Sequence, residues 1–293
     1  MMKFYYFGGV MGDAENLKSP STLNKHNFSG VMFTHDIPEG DMFIKAAIDI
    51  KQGENIKYLV AIRPYTISPQ YLSMINRSMD KIDRGRLQVN LICGYIKDHE
   101  NGVGGVVGNV NDTSSNVDRS NYMIEFLKTL NEMNQDKESP GYWRDPNHIN
   151  KLDVFVSTTN HYVFETAKKY GHKIILPYHI YARGGWSDFL KGPSVSVPLD
   201  LDGMEIMLAI TPIIRKTEEE LNLLTNHVVR PVWKKGELPQ PVLDAAYFTH
   251  EQFDDLVRTL ESRGINHMLI NAVPSEEVEV IVPFIKQYTE SRK

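Results

Sequence analysis

The chain has one cysteine in 293 residues, Cys93, which rules out an internal disulfide and any cysteine-based zinc cluster. That scarcity fits a reducing compartment. No apolar run approaches the roughly 18 residues that a membrane-spanning helix requires. The opening "MMKFYYFGGVMGD" has neither a charged leader nor a small-residue cleavage site, so it reads as the first strand of a domain and the protein as cytoplasmic. No lysine- or arginine-rich block interrupts a net charge of −5, which disfavours nucleic acid as a partner. A Gly-rich stretch, "NGVGGVVGN", lacks the Gly-Lys-Ser/Thr ending of a phosphate-binding P-loop, and no dinucleotide fingerprint is present.

What is present is a large apolar content. Apolar residues make up 41% of the chain and charged residues 24%, with 12 Phe, 14 Tyr and 3 Trp available for a core. Short β-rich runs recur at 3–9, 30–35, 58–64, 87–95, 152–159, 173–180, 204–214 and 265–272. Several are nearly continuous in apolar residues, the signature of parallel strands covered on both faces. Amphipathic helices lie between them. One opens at Ser68-Pro69 and carries Leu72, Ile75, Met79 and Ile82 at three- and four-residue spacing. A second follows Ser120 or Asn121 as its N-cap, and a third runs from Thr249 to a stop at Gly264. Eight strands alternating with helices predict an α/β fold, a (β/α)8 TIM barrel in one domain over 1–293, with an open doubly wound sheet as the structural alternative. Inserts at 96–118 and 181–200 follow strands and belong at the carboxyl end of the sheet, where barrels bind ligands; a third, 226–246, follows a helix.

The run "YLVAIRPYTISPQYLSMINRSMDKIDRGRLQVNLICGY" adds a more specific signal. Val60-Ala61-Ile62-Arg63-Pro64, Ser68-Pro69, the helix end from Asp80 to Arg86, and Asn90 to Gly94 follow one another at fixed spacing. This succession resembles the bacterial-luciferase-like flavin monooxygenases, and most closely their alkanesulfonate branch. The likeness is strong over 30–95 and weaker elsewhere. It implies reduced flavin mononucleotide (FMN) as cofactor, with a deazaflavin as the lesser alternative. It also implies a small-molecule substrate, a separate flavin reductase as electron donor, and a homo-oligomer.

Residue by residue, the resemblance assigns Ala61 and Ile62 to a backbone shelf under the flavin ring and Asn90 to the ring's edge. Arg119, Thr158 and Thr159 fall where the family holds the flavin phosphate. Hydroxyls beside a helix start suit an anion, but the same residues make ordinary N-caps, and Asn90 can equally serve a neighbouring strand. His35, His179 and Tyr181 stand near strand ends as candidates for proton transfer. Arg63, at the tip of an apolar run, either faces an anionic ligand or orders the loop after it.

Several family positions are altered. The alternating Arg and His of strand seven fall on Ala209 and Thr211, and the cysteine after strand two is replaced within "HDIPEGD". Met11 stands where strand one usually ends in histidine, and Arg230 is the remaining counterpart of an arginine on a longer loop. A sulfonate needs paired charge when it is desolvated. Alkanesulfonate is therefore not the expected substrate. A non-catalytic barrel that binds flavin or another phosphorylated ligand is the second reading.

Overall fold

The computed structural model describes residues 1–8, 20–34, 40–52, 55–92, 116–135, 152–158, 160–178, 203–224, 246–272 and 277–293. In chain order the elements are β1 (Lys3–Phe7), α1 (Pro20–Lys25), β2 (Gly30–Thr34), α2 (Met42–Lys51), β3 (Lys57–Ile62), a 3-10 turn (Pro64–Thr66), α3 (Pro69–Ile82) and β4 (Leu87–Ile92). There follow α4 (Asn116–Gln135), β5 (Asp153–Ser157), α5 (His161–Lys169), β6 (Lys173–Pro177), β7 (Ile206–Ile210), β8 (Pro212–Arg215) and α6 (Glu218–Leu224). The chain ends in β9 (Ala246–Thr249), α7 (His250–Ser262), β10 (His267–Ile270) and α8 (Val278–Ser291). Eight strands close in the order β1-β10-β7-β6-β5-β4-β3-β2, and β8 and β9 form a separate parallel pair. With helices alternating between them, this is a (β/α)8 barrel.

Helix starts follow local chemistry. Asp41 Oδ1 accepts from Phe43 N at 2.9 Å and Ile44 N at 3.3 Å to open α2. Ser68 Oγ accepts from Tyr71 N at 3.1 Å, with Pro69 in the first turn where no N–H is missed. Thr249 and Gln252 exchange side-chain-to-backbone bonds at the start of α7, a reciprocal capping box. Gly264, at φ +79°, ends it in a conformation that other residues adopt only with strain.

Three expectations are corrected. First, α4 begins at Asn116, so Ser120 and Asn121 lie inside the helix rather than capping it; Ser120 is buried. Second, the run 204–214 is two strands. Pro212 has no N–H for a ladder, and the chain leaves β7 at Thr211, whose carbonyl accepts from Ala246 N at 2.9 Å as β8 pairs with β9. Third, Ile82 closes α3 at 45% exposure instead of completing its apolar stripe. Of the inserts at 96–118, 181–200 and 226–246, residues 96–115, 181–200 and 226–245 lie outside the described residues.

Two compact units account for the elements. One holds β1, α1, most of β2, β7 to β10 and α6 to α8. Its core is aromatic: Phe253 meets Phe248, Phe284 and Tyr288 edge-on, at ring separations of 5.9, 5.5 and 6.0 Å. Phe4 packs edge-on against Tyr288 at 5.9 Å.

The other unit holds α2 to α5 and β3 to β6. Strand side chains alternate between faces, and here the two faces differ in chemistry. Val60 and Ile62 of β3, Val89 and Leu91 of β4, and Val154 and Val156 of β5 form an apolar set, each no more than 2% exposed. This set faces the helices, with β3 against α2 and β4 against α3. The opposite face presents Leu59 and Ala61, Gln88 and Asn90, and Asp153, Phe155 and Ser157. Polar groups on that face need partners, and those partners divide the strands into two different ends.

Candidate functional site

At the amino ends of β4 to β6 the polar residues neutralise one another. Asp153 accepts from Gln88 Nε2 at 2.6 Å and from Lys173 Nζ at 2.9 Å, and lies 3.7 Å from Lys57 Nζ. Lys173 also meets Glu205 at 3.0 Å and lies 5.1 Å from the centre of the Phe155 ring. Burial alone would pull the Lys173 ammonium down, but Asp153 and Glu205 outweigh it and hold the group above its ordinary value. Just outside, Asp80 Oδ1 accepts from Gly85 N at 2.9 Å, while Arg86 donates to Ile56 O at 2.9 Å and Asn55 Oδ1 at 3.0 Å. The helix-end motif from Asp80 to Arg86 therefore locks a turn at the end of the sheet away from ligands.

The carboxyl ends of β3 to β5 carry a smaller, uncharged arrangement. Ala61 and Asn90 are register partners on β3 and β4, and both are at most 2% exposed. Ser157 Oγ donates to Asn90 Oδ1 at 2.9 Å. That bond orients the amide. Nothing in the local sequence around Asn90 signals Ser157. The two are 67 positions apart and meet only through the β4–β5 register, in which Ser157 is opposite Ile92.

One residue further on, Thr158 is buried and its hydroxyl oxygen accepts from Asn160 N at 3.0 Å. Asn160 then caps α5, accepting from Tyr162 N at 2.9 Å and Val163 N at 3.2 Å. Thr158 keeps its own hydroxyl hydrogen, for which no described residue is the acceptor. The helix start thus couples a ready O–H donor to the positive end of a nine-residue helix. The helix's other first-turn N–H groups, at Tyr162 and Val163, are already held by the Asn160 cap.

The remaining sequence candidates divide as follows. Ile62 belongs to the helix-facing apolar set, so of the Ala61-Ile62 pair only Ala61 places a side chain on the polar face. The carbonyl of Arg63 accepts from both the N–H and the hydroxyl of Thr66, at 3.0 and 2.8 Å, which anchors the turn after β3. Arg119 lies half-buried in the first turn of α4. Thr211, in the first unit, accepts from Asn271 Nδ2 at 3.3 Å, a partner that sequence reasoning missed. His35, Thr159, His179, Tyr181 and Arg230 lie outside the described residues. Among the described residues, no group of three or more His, Cys, Asp or Glu side chains is placed to hold a metal ion.

At this edge the Thr158 hydroxyl, beside the start of α5, is of a kind that suits an anion such as a phosphate oxygen.

A closed barrel of eight parallel strands alternating with helices defines the class of (β/α)8 barrel proteins. No family model matches the chain. Among solved structures, it is similar to EDTA monooxygenase from Chelativorans sp. BNC1, at a TM-score of 0.66 and 13% identity over 99% of this chain and 94% of that one. It is also similar to monooxygenase RslO1 from Streptomyces bottropensis, at 0.63 and 13% over 99% of both chains. A third likeness is to the coenzyme F420 dependent tetrahydromethanopterin reductase from Methanopyrus kandleri, at 0.64 and 11% over 98% of this chain and 97% of that one. At such identities the likeness is one of fold.

Proposed function

We propose that this chain is a luciferase-like flavin-dependent oxidoreductase, a cytoplasmic monooxygenase that takes reduced FMN from a separate reductase and acts on a small substrate. The observation that carries this reading is the Ala61–Asn90–Ser157–Thr158 edge at the carboxyl ends of β3 to β5. It falls where the sequence resembles the flavin site of that family, in a fold similar to two monooxygenases. When bound, the flavin supplies the electrons for the chemistry. The chain's part is to seat the ring against Ala61 and the oriented Asn90 amide, and to donate from Thr158 to the phosphate. Thr159 and Arg119 belong to the same phosphate end, and His35, His179 and Tyr181 are assigned to proton transfer. Arg63 orders the turn that follows the ring's shelf. The sequence stands closest to the alkanesulfonate branch, yet Ala209 and Thr211 supply no charge for a sulfonate, so the substrate is of another kind.

Self-association of identical chains is part of this reading. Ile44 and Ile48, one turn apart on α2, and Tyr71 and Met74 on the adjoining α3 are each about half exposed or more. A second copy would cover them.

A second reading, a flavin-binding barrel without catalysis, is favoured by one observation. The Thr211 hydroxyl, where the family places a titratable group, is engaged with Asn271. Titration with FMN and with a deazaflavin, followed by oxygen uptake with photoreduced FMN, separates the readings. Tight FMN binding with stimulated oxygen uptake supports the enzyme. Binding without uptake supports the second reading, and preference for the deazaflavin replaces FMN as the cofactor. No binding of either at tens of micromolar refutes the flavin site altogether. Within the FMN reading, Thr158→Ala combined with Thr159→Ala must weaken affinity.

A further inference from the structure

A cavity of about 600 Å3 lies in the first unit, among the end of β8, α6, the first residue of α7 and one side of α8. Its apolar walls include Ile214, Leu224, Pro283 and Phe284. Leu223 and Val280 stand at its rim, and both are exposed, Leu223 at 64%. The local sequence accounts for the shape. The Thr217 hydroxyl accepts from Glu220 N at 3.2 Å, and Glu220 Oε2 accepts from Lys216 N at 2.8 Å, so the corner between β8 and α6 is tied down from both sides.

The polar groups of this cavity fall into two sets. Arg215 is committed: its guanidinium makes a two-pronged pair with the buried Glu277, at 2.7 and 2.9 Å. Glu220 is committed to backbone N–H groups. By contrast, the side chains of Lys216, His250 and Gln287 hydrogen-bond to none of the described residues, and all three line the cavity. The His250 ring lies against Phe284, 4.6 Å between centroids. Burial and then the nearby Lys216 charge lower its pKa against the opposing pull of Glu220, so at neutral pH the ring is uncharged and keeps one N–H to donate. An apolar pocket with a few uncommitted polar groups is the common form of a small-molecule site. Here those groups are one ammonium, one amide and one imidazole, with the neighbouring carboxylates already engaged.

We infer that this cavity binds an aliphatic monocarboxylate. The carboxylate meets Lys216, His250 and Gln287, and the hydrocarbon chain lies along Ile214, Leu224 and Phe284 and under Leu223. Charge complementarity selects an anion, since the ammonium hydrogen-bonds to none of the described residues and the Glu220 carboxylate is held by backbone N–H groups, and the walls select an apolar body. The inference does not rest on the flavin reading.

Isothermal titration of the full chain with decanoate, below its micelle concentration, tests it. Decanoate binds, whereas decanol, lacking the charge, and acetate, lacking the chain, bind at least tenfold more weakly. Lys216→Met weakens decanoate at least tenfold, while Lys216→Arg keeps most of the affinity. Leu223→Asp, at an exposed rim position that leaves the core intact, also weakens it at least tenfold. FMN affinity is unchanged in all three variants, which separates this cavity from the flavin site. The inference is overturned by no decanoate binding, by equal binding of decanol, or by affinities unmoved in Lys216→Met and Leu223→Asp. It is equally overturned if sedimentation shows a second copy of the chain excluding decanoate.

Discussion

The two ends of the same parallel strands, β3 to β6, solve the problem of a polar interior in opposite ways. At the amino ends two ammonium groups and an amide gather on the Asp153 carboxylate, and Lys173 also meets Glu205. Each charge there has an opposite charge beside it. At the carboxyl ends the polar residues are neutral and smaller: Asn90 with Ser157, then Thr158 with Asn160. The first end balances its charges without a ligand, although the buried Gln88 Oε1 has no hydrogen-bond partner. The second keeps one donor, the Thr158 hydroxyl, for which no described residue is the acceptor. Barrel proteins commonly separate stability from function along the strand axis in this way.

Breaking the amino-terminal lattice has the largest expected effect. Asp153→Ala leaves Lys57, Lys173 and Gln88 without their shared acceptor and lowers stability by roughly 2–3 kcal/mol, since losing one partner of a fully buried pair costs more and these groups are partly wet. Urea unfolding measures the loss, and FMN affinity of the folded protein stays within about twofold. A tenfold loss of affinity would mean that the two ends are not separate. Next in size, Asn90→Leu lowers FMN affinity about tenfold or more, equivalent to ~1.4 kcal/mol. It leaves unfolding within about 1–2 kcal/mol of the parent, the range expected from leaving Ser157 without its acceptor.

Ser157→Ala is gentler and sharpens the contrast. It removes one hydrogen bond, worth ~1 kcal/mol, and takes away one restraint on the Asn90 amide. FMN binding then weakens by a few-fold, and the bound flavin's absorption band shifts. A stability loss with an unmoved flavin spectrum would assign Ser157 to structure alone.

The smallest effect is one of pH. Lys173 is held above the ordinary lysine value in the folded protein, so its contribution is fully present below that ordinary value and is lost as pH rises through the higher folded one. Stability should therefore fall from about pH 10.4 upward. Asp153→Asn, which removes the main charge holding the proton, should flatten that fall in urea midpoints measured across the alkaline range. An unchanged slope would remove Lys173 from the account.

Much of the fold is legible along the chain because its signals are local. Ser68 before Pro69, Thr249 three residues before Gln252, and Gly264 after α7 each act within one helical turn, and all three operate where the sequence places them. The near-continuous apolar strands likewise announce a sheet covered on both sides. What misled was also local: Ser120 has the chemistry of a cap, but α4 begins at Asn116 and buries it. The run 204–214 has strand character throughout. Only the arrival of Ala246–Thr249 beside Pro212–Arg215 decides that it breaks at Thr211.

The site follows the same division. Ala61, Asn90 and Thr158 could be singled out from the sequence because a family pattern covers their neighbourhood. Ser157 and Asn271 could not, since each acts on a residue 60 or more positions away. By itself the sequence determined the alternation of strands and helices, the main helix caps, and the absence of charge at Ala209 and Thr211. Only the tertiary structure decided which polar residues face one another. Strand register brings Gln88, Asp153 and Lys173 together at one end and Asn90 and Ser157 at the other, because adjacent parallel strands align groups that the chain itself keeps far apart.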